Sequence, residues 1–320
     1  MVQPYDGGDP TADLEERLAG RRVLVTGGSG FIGRRITSAL VAAGADVVVT
    51  DLRPYPGTDV RYVGGDLRHR EVREAAFEGG VDAVVHLAAI TSVLRSVEQP
   101  VLTYETNVMV TQELLELARR GGTEAFLFAS TNAVTGDVGD ATIDESFPLR
   151  PLTPYGSTKA ACEMLMSAYH GAYGLQTTAF RFANVYGPGM EAKDSMVPRL
   201  MRAANSGATI QIYGDGKQVR DFIHVDDIVQ GILTAWLAGH TGPLVLGSGS
   251  SDSVLDLIDM ARDVTGAAIP VEHVPAKNGE MPAVRLGIAA ARGLGFQPRF
   301  DLRAGLATVW PEFSGEGVAK

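Results

Sequence analysis

Short apolar runs alternate with amphipathic stretches through the first half of the chain. Because both faces of a parallel sheet are buried, such runs predict strands, and they lie at Arg22–Thr26, Asp46–Asp51, Val60–Gly64, Asp82–Leu87, Ala125–Ser130 and Gln176–Arg181. The stretches between them predict helices, at Phe31–Ala43 (ended by Gly44), Glu71–Glu78, Val101–Arg120 and Tyr155–Tyr173. We therefore expect an α/β fold built on a doubly wound parallel sheet.

After Gly187 the pattern becomes less regular, with shorter elements separated by glycine and proline. This change predicts a smaller C-terminal lobe laid over the end of the sheet. We expect residues 1–20 to be an N-terminal tail and residues 21–184 to form the sheet domain, joined by parts of 220–247. Residues 185–320 would then be mainly the smaller lobe.

Composition narrows the class of protein. The chain has 320 residues, 45% of them hydrophobic, and no apolar run approaches the roughly 18 residues that span a bilayer. We therefore expect no membrane association and no secretory leader. The single cysteine, Cys162, rules out an internal disulfide and fits a cytoplasmic protein. The six histidines lack metal-ligand spacing, so no metal is expected, and the net charge of −10 disfavours nucleic acid as a partner.

A glycine-rich turn follows the first predicted strand. Gly27, Gly30 and Gly33 permit a tight turn, the approach of backbone amides to a pyrophosphate, and close packing of the next helix. Asp51 ends the second strand, where a carboxylate accepts hydrogen bonds from ribose hydroxyls and repels a 2′-phosphate. The sequence thus predicts a Rossmann-type domain that binds NAD. Arg53 leaves NADP open, because an arginine in this loop can accommodate a phosphate.

The run TGGSGFIG resembles the cofactor motif of the extended short-chain dehydrogenases, the NAD-dependent epimerase/dehydratase group, and the similarity extends from Arg21 to Phe313. The resemblance implies cofactor contacts from several segments beyond Asp51. They are Phe31 and Ile32 in the glycine turn, Asp66 and Leu67 beside the adenine, Leu87, Ala88 and Ala89 beneath the nicotinamide, and Asn107 as a positioning residue. For Asp66, a helix N-cap before Glu71 is the alternative.

Tyr155 and Lys159 lie four residues apart in YGSTK, on one face of a predicted helix. A lysine ammonium beside a phenol favours the phenolate, which lowers the tyrosine pKa and lets it exchange a proton with a substrate hydroxyl. The same lysine could hold the nicotinamide ribose. Because this spacing is common on helices, it needs support from another segment.

That support comes from Ala129–Gly136, which resembles the family segment ending in Val-Tyr-Gly. The resemblance implies that Thr131 is the catalytic hydroxyl residue and that Asn132 lies against the substrate. Thr135 stands in place of the usual tyrosine, which predicts a change in pocket shape. In the similar 4,6-dehydratases Asp-Glu follows the catalytic hydroxyl residue, and glucuronate decarboxylases have a glutamate at the second position. Since Ala133 cannot exchange a proton, elimination is disfavoured.

Three residues of the second half match positions that contact the substrate diphosphate in the family. Asn184 lies in RFANVYGPG, Arg220 in YGDGKQVRDFIHVDD, and Lys277 begins KNGE, which resembles Arg-Pro-Gly-Asp. Lysine keeps the charge there but loses the bidentate fork of arginine. Together these residues predict a local anion pocket in an acidic protein.

The resemblance therefore implies an NAD-dependent nucleotide-sugar 4-epimerase, acting on a UDP- or TDP-hexose or hexuronate through a 4-keto intermediate. A nucleotide-deoxysugar 4-ketoreductase is the main alternative. A non-catalytic dinucleotide sensor is a further one, although it would not need Thr131, Tyr155 and Lys159. Glu191 lies where a substrate carboxylate would want an arginine, so glucuronate has no special support.

The helices predicted at Val101–Arg120 and Tyr155–Tyr173 resemble those that form an intersubunit four-helix bundle in this family. This predicts a homodimer. The alternative is that each is an ordinary helix with only its sheet-facing side buried. The apolar residues on which the prediction depends are Met109, Leu114, Leu117, Met164, Leu165 and Met166.

Overall fold

A seven-stranded sheet forms the centre of the protein in a computed structural model that describes residues 15–275 and 283–315. All neighbouring strands are parallel. Across the sheet they are β12 (Gly242–Leu246), β7 (Gln176–Phe182), β5 (Ala125–Thr131), β4 (Ala83–His86), β1 (Arg22–Thr26), β2 (Asp46–Asp51) and β3 (Arg61–Gly64). Strand order reverses at β1, as in doubly wound folds, so the predicted Rossmann-type architecture is confirmed.

Helices flank the sheet and build the second half of the chain. They are α1 (Phe31–Ala42), α2 (Arg70–Phe77), α3 (Val93–Glu98), α4 (Pro100–Tyr104), α5 (Val110–Gly121), α6 (Pro154–Tyr173), α7 (Met196–Ser206), α8 (Val225–Leu237), α9 (Val254–Thr265), α10 (Ala289–Gly293), α11 (Leu302–Val309) and α12 (Pro311–Ser314). Short strands complete the fold: β6 (Thr142–Ile143), β8 (Asn184–Tyr186), β9 (Ile210–Tyr213), β10 (Val219–Arg220), β11 (Phe222–His224), β13 (Asp252–Ser253), β14 (Val271–Val274) and β15 (Arg285–Leu286).

Successive side chains of β1 point to opposite faces of the sheet and pack into two separate hydrophobic cores. Val23 and Val25 pack on one face of the sheet, together with apolar residues of α1 and α8. Leu24 packs on the other face, with α5 and α6. Because both faces of the sheet are covered, the strands are apolar almost throughout, which is why they could be found in the sequence. A third core joins α7, α9 and α11 in the C-terminal lobe.

The predicted strands and three of the predicted helices agree with the structure to within one residue at each end. The helix predicted at Val101–Arg120 is also present, but it is not a regular α-helix throughout. A π-helical segment at Glu105–Met109 lies between α4 and α5. Within that segment the Asn107 carbonyl accepts hydrogen bonds from Thr111 Oγ1 (2.5 Å) and Cys162 Sγ (3.3 Å). Side-chain donors thus bind a carbonyl where the regular helix is interrupted, and π segments of this kind are frequent at functional sites.

The packed fold begins before residue 21, the predicted start of the sheet domain. Residues 15–18 are helical, and Leu18 is fully buried against the core that contains α1 and α8. Gly20 N donates a 2.9 Å hydrogen bond to Gly44 O, which fixes the entry to β1. Residues 15–20, which were expected to belong to a tail, are therefore part of the packed fold.

Candidate active site

The glycine turn brings α1 close to both β1 and the segment after β4. Gly27 has φ +71°, a conformation that favours glycine, and a Cβ there would lie 2.8 Å from Ala88 N. A Cβ on Gly33 would overlap the carbonyl oxygen of Gly27. Gly30 is the N-cap of α1, and Phe31 and Ile32 form its first turn. The predicted pyrophosphate site is therefore a close-packed helix N-terminus, and its geometry fits a dinucleotide.

Asp51 lies at the end of β2, beside this turn. Its Oδ2 accepts a 3.1 Å hydrogen bond from Ser29 N, and its Oδ1 accepts one of 3.0 Å from Arg53 N. The Asp51 side chain is 11% exposed, whereas that of Arg53 is 67% exposed. Arg53 Nη2 donates to Ser29 O at 3.3 Å. The carboxylate is therefore held rigidly, and the guanidinium lies over the same turn at the surface.

Asp66 and Leu67 follow β3, and the Asp66 carboxylate is bound by Arg68. Arg68 Nη2 lies 2.7 Å from Oδ2, and this hydrogen bond holds the Asp66 pKa below its usual value. The alternative role for Asp66 as an N-cap is wrong, because His69 is the N-cap of α2. Both carboxylate oxygens accept from Arg68, Oδ1 from its backbone N at 2.9 Å and both oxygens from its guanidinium, so a ligand here would displace part of this pairing.

Asn107 connects the segment after β4 to α6. Its Oδ1 accepts from Ile90 N at 2.8 Å, and its Nδ2 donates to Ile90 O and to Thr158 Oγ1, both at 3.0 Å. Leu87 N and Ala88 N, at the start of the same segment, donate to Thr26 Oγ1 at 3.2 Å. The segment that includes Ala89 is thus fixed at both ends, which suits it to support a flat ring.

Thr131 and Tyr155 meet at the end of β5. Tyr155 lies in the first turn of α6, whose N-cap Thr153 accepts a 3.2 Å hydrogen bond from Gly156 N. A Cβ on Gly156 would lie 2.8 Å from Ala133 O, so glycine lets α6 begin directly against the turn after Thr131. The Tyr155 phenol faces the Thr131 hydroxyl, and this interaction opposes the effect of burial on the tyrosine pKa.

Lys159 lies one turn further along α6 and is 2% exposed. Its Nζ donates a 2.7 Å hydrogen bond to Ala129 O and lies 4.4 Å from the centroid of the Phe128 ring. Burial lowers the pKa of Lys159 to about 8 and raises the pKa of Tyr155 to about 12. The expected lowering of the Tyr155 pKa by Lys159 is therefore wrong for this arrangement. Desolvation dominates, and the ammonium donates to Ala129 O.

The residues after Thr131 form a 3₁₀ turn, Asn132–Val134. Ala133 N donates to Thr131 Oγ1 at 3.2 Å, and the buried Thr135 hydroxyl donates to Asn132 O at 2.9 Å. Thr135 thus satisfies its polar atom inside the turn. Neither Asn132 nor Ala133 carries an acidic group next to the Thr131–Tyr155 contact.

Asn184 and Arg220, predicted as substrate contacts, line one cavity of about 630 Å³. Asn184 Nδ2 donates to Asp221 O at 3.1 Å, which fixes the amide at the edge of the β8–β11 pair. Sequence reasoning missed Arg199, which lines the same cavity from α7 and pairs with Asp194 at 2.6 Å. No motif marks it, because its place depends on how the lobe folds. Lys277 lies outside the described residues.

Residues 23–247 match the family described as the NAD-dependent epimerase/dehydratase family. The chain belongs to this family. A dTDP-glucose 4,6-dehydratase of Streptomyces griseus is 35% identical over 90% of this chain and 92% of its own length. A putative UDP-glucose 4-epimerase of Methanocaldococcus jannaschii is 31% identical over 90% of this chain and 96% of its own length.

Solved structures extend the similarity to three dimensions. The UDP-glucose 4-epimerase of Thermus thermophilus, solved as a complex with NAD, is 32% identical to this chain with a TM-score of 0.86. The match covers 92% of this chain and 99% of that one. The family description and the bound NAD of that structure agree with NAD as the cofactor of this chain.

Proposed function

We propose that this protein is an NAD-dependent nucleotide-sugar 4-epimerase that acts on a UDP- or TDP-linked hexose or hexuronate through a 4-keto intermediate. The observation that carries the proposal is the placement of the Tyr155 phenol beside the Thr131 hydroxyl, with Lys159 one turn away and the glycine turn nearby. An acid-base pair buried next to a redox cofactor suits reversible oxidation of a hydroxyl. A dinucleotide sensor would have no use for such a pair.

In this proposal, Tyr155 takes the proton from the hydroxyl at carbon four, and Thr131 holds the reacting oxygen. Lys159 binds the nicotinamide ribose. Bound NAD supplies the hydride acceptor and adds positive charge near the tyrosine. Asn107 and the residues after β4, including Leu87, fix the floor of the nicotinamide site through the contacts described above.

We assign binding of the nucleoside diphosphate to the C-terminal lobe. Asn184, Arg220 and Lys277 would hold the diphosphate, and the cavity that the first two line would take the nucleoside. Asn132 would contact the sugar. The fixed diphosphate would allow the keto sugar to turn and present its other face, as epimerisation requires.

Relatives in this family include dehydratases, so the choice of epimerisation needs its own argument. Elimination of water requires an acid and a base near carbons five and six. Ala133 has only a methyl group, and its backbone N–H is already used by Thr131. We therefore favour epimerisation over dehydration. The ketoreductase alternative is disfavoured because the rigid carboxylate of Asp51 suits NAD, not NADP.

We further propose a homodimer formed through α4, the π segment and α6. Two of the six apolar residues on which the prediction depended, Leu114 and Met166, are buried within the subunit and cannot contribute. Met109 and Met164 are 53% and 66% exposed and line one shallow groove together with Tyr104. Exposed methionines on neighbouring helices form an apolar surface suited to a second copy.

The remaining expectations concern cell location and other partners. Among the described residues no helix is long and apolar enough to cross a membrane. We propose a cytoplasmic enzyme on the basis of its single buried cysteine and its likeness to nucleotide-sugar enzymes. Its net charge of −10 is consistent with the absence of nucleic-acid partners.

Cofactor content tests the proposal against the ketoreductase. We expect the purified protein to carry NAD, visible in its absorbance, and to turn over UDP-glucose or another nucleotide sugar without added cofactor. Tyr155→Phe should lower turnover by about 10³-fold with little change in nucleotide-sugar affinity, because the phenol works mainly in the transition state. Turnover that requires added NADPH would contradict the proposal.

A further inference from the structure

A buried ion pair lies directly behind the Tyr155–Lys159 pair. Glu163, one turn after Lys159 on α6, accepts hydrogen bonds from Arg181 of β7 at 2.9 Å (Nη2) and 3.2 Å (Nε). The two side chains are only 7% and 4% exposed. Ser130 Oγ of β5 also donates to the carboxylate. The carboxylate therefore joins one helix to two neighbouring strands.

The three polar side chains of α6 engage three consecutive residues of β5. Tyr155 faces Thr131, Lys159 Nζ donates to the carbonyl of Ala129, and Glu163 accepts from the hydroxyl of Ser130. Since these helix positions repeat every four residues, they form one stripe along α6. The stripe fixes how far the helix can slide or rotate on the strand that carries Thr131.

Stability alone does not explain an ion pair in this place. Removing two charges from water costs several kcal/mol per ion, so apolar residues of similar volume often serve a core as well. Among the described residues no carboxylate lies within ion-pair distance of Lys159. Burial lowers the Lys159 pKa, and Cys162 and then Glu163 oppose this lowering.

The other groups that face the Lys159 ammonium do not supply negative charge. His86 of β4 is buried, and its pKa is lowered to about 3, so it is neutral. Burial raises the pKa of the Cys162 thiol, which keeps it protonated. The remaining neighbours are the Phe128 ring and the Ala129 carbonyl on β5. Since the thiol is neutral, Glu163 is the charged side chain that opposes the effect of burial on the ammonium, and Arg181 holds it in place.

We propose that Glu163, held by Ser130 and Arg181, is a positioning residue that fixes α6 on β5 and keeps the Lys159 ammonium charged. This inference rests on the proposed function, since it assigns Glu163 to the Tyr155–Lys159 pair. It acts through Lys159 and contacts neither substrate nor cofactor. Glu163 thereby controls two properties of the Lys159 ammonium. Its position sets the affinity for NAD, and its charge sets the upper pH limit of turnover.

The test compares variants that separate these two properties. Glu163→Gln/Arg181→Gln removes both charges together and leaves no unpaired buried ion. Ser130→Ala removes only one link and keeps the charge. The control, Asp227→Asn/Arg299→Gln, neutralises another pair with a buried carboxylate, between α8 and the segment before α11. NAD affinity is measured by equilibrium dialysis, and turnover is followed against pH with UDP-glucose.

We expect Glu163→Gln/Arg181→Gln to weaken NAD binding about tenfold and to move the alkaline limb of kcat to lower pH, because Glu163 and not Arg181 acts on the Lys159 pKa. Ser130→Ala should weaken NAD several-fold with the alkaline limb in place, and Glu163→Asp should keep the limb of the wild type. If the double variant is less stable but keeps its NAD affinity and its pH profile, the pair serves folding alone and the inference is overturned. A folded double variant with the NAD affinity and pH profile of the wild type would also overturn it.

The Ser130→Ala variant keeps the test decisive if the double variant does not fold, because unchanged NAD affinity in a folded Ser130→Ala protein would also overturn the inference. NAD binding requires no substrate, so this readout is independent of the proposed reaction. If Tyr155→Phe keeps its turnover while the NAD results are as expected, the proposed function fails and the positioning of Lys159 stands. If Tyr155→Phe is inactive and the NAD and pH results are unchanged in the other variants, only the inference fails.

Discussion

The Thr26 hydroxyl lies 2.6 Å from Nδ1 of His86, and the surrounding donors fix the direction of this hydrogen bond. Thr26 Oγ1 already accepts from the N–H groups of Leu87 and Ala88, so its hydrogen goes to His86. His86 must then carry its own proton on Nε2, which donates to Thr111 Oγ1 at 3.0 Å. The chain of bonds joins the glycine-turn strand to the π segment.

Thr26→Val tests this arrangement, since valine matches threonine in shape and removes the hydroxyl. It would leave the Ala88 N–H and the histidine Nδ1 without their partner, while Leu87 N keeps its bond to Thr26 O at 3.1 Å. We expect the free energy of unfolding to fall by about 2 kcal/mol. Urea unfolding measures the change. Thr58→Val at the surface is the control and should change stability by less than about 0.5 kcal/mol. Equal effects of the two variants would contradict the assigned bonds.

Thr131→Ala should lower turnover by about 10²-fold, the size expected for one lost hydrogen bond at the reacting oxygen. The loss should be in kcat, because Thr131 is assigned to the transition state and not to the nucleotide. Steady-state kinetics with a turned-over nucleotide sugar provide the measurement. Thr135→Ala, which removes a hydroxyl bonded only within the turn, is the comparison. Unchanged kinetics of Thr131→Ala would instead favour a role for the Ser130 hydroxyl.

Cofactor choice should depend on Asp51 and only weakly on Arg53. Asp51 is rigid and mostly buried, whereas Arg53 would lose side-chain freedom to bind a phosphate. We expect Asp51→Ala to weaken NAD and improve NADP, and Arg53→Ala to change neither affinity by more than about threefold. Equilibrium binding of both cofactors to both variants tests this. If Arg53→Ala abolishes a native preference for NADP, the ketoreductase becomes the better interpretation.

Dimer formation should depend on the exposed methionines. Met164→Glu places a charge in the apolar groove, and we expect a monomer by light scattering at micromolar concentration. Leu52→Glu is the matched control, since Leu52 is 73% exposed and lies directly after β2, outside the proposed interface. A wild-type protein that is already monomeric would refute the proposed dimer.

The sequence predicted those features that depend on local pattern. Apolar strands and the glycine turn were located correctly because both faces of the sheet are buried. The seventh strand, Gly242–Leu246, was missed, since Gly242 and Pro243 resemble a turn. The π segment was missed because its cause is a set of contacts between Asn107 and residues remote in sequence.

At the site, spacing and resemblance named Thr131, Tyr155 and Lys159, and the structure brings these residues together. The Glu163–Arg181 pair was not predicted, although Glu163 lies one turn after Lys159. Its partners Ser130 and Arg181 come from two strands that become neighbours only in the folded sheet. The pKa of Tyr155 was also misjudged, because burial cannot be read from the spacing of two residues.

The most direct test of the central claim is incubation of the purified protein, without added cofactor, with UDP- and TDP-hexoses deuterated at carbon four. We predict the C4 epimer of at least one sugar, with the deuterium retained at carbon four, because the same hydride leaves and returns. Tyr155→Phe, prepared in parallel, should yield no epimer in the same time. A 4-keto-6-deoxy product, or product only when NADPH is supplied, would contradict the assignment as an epimerase.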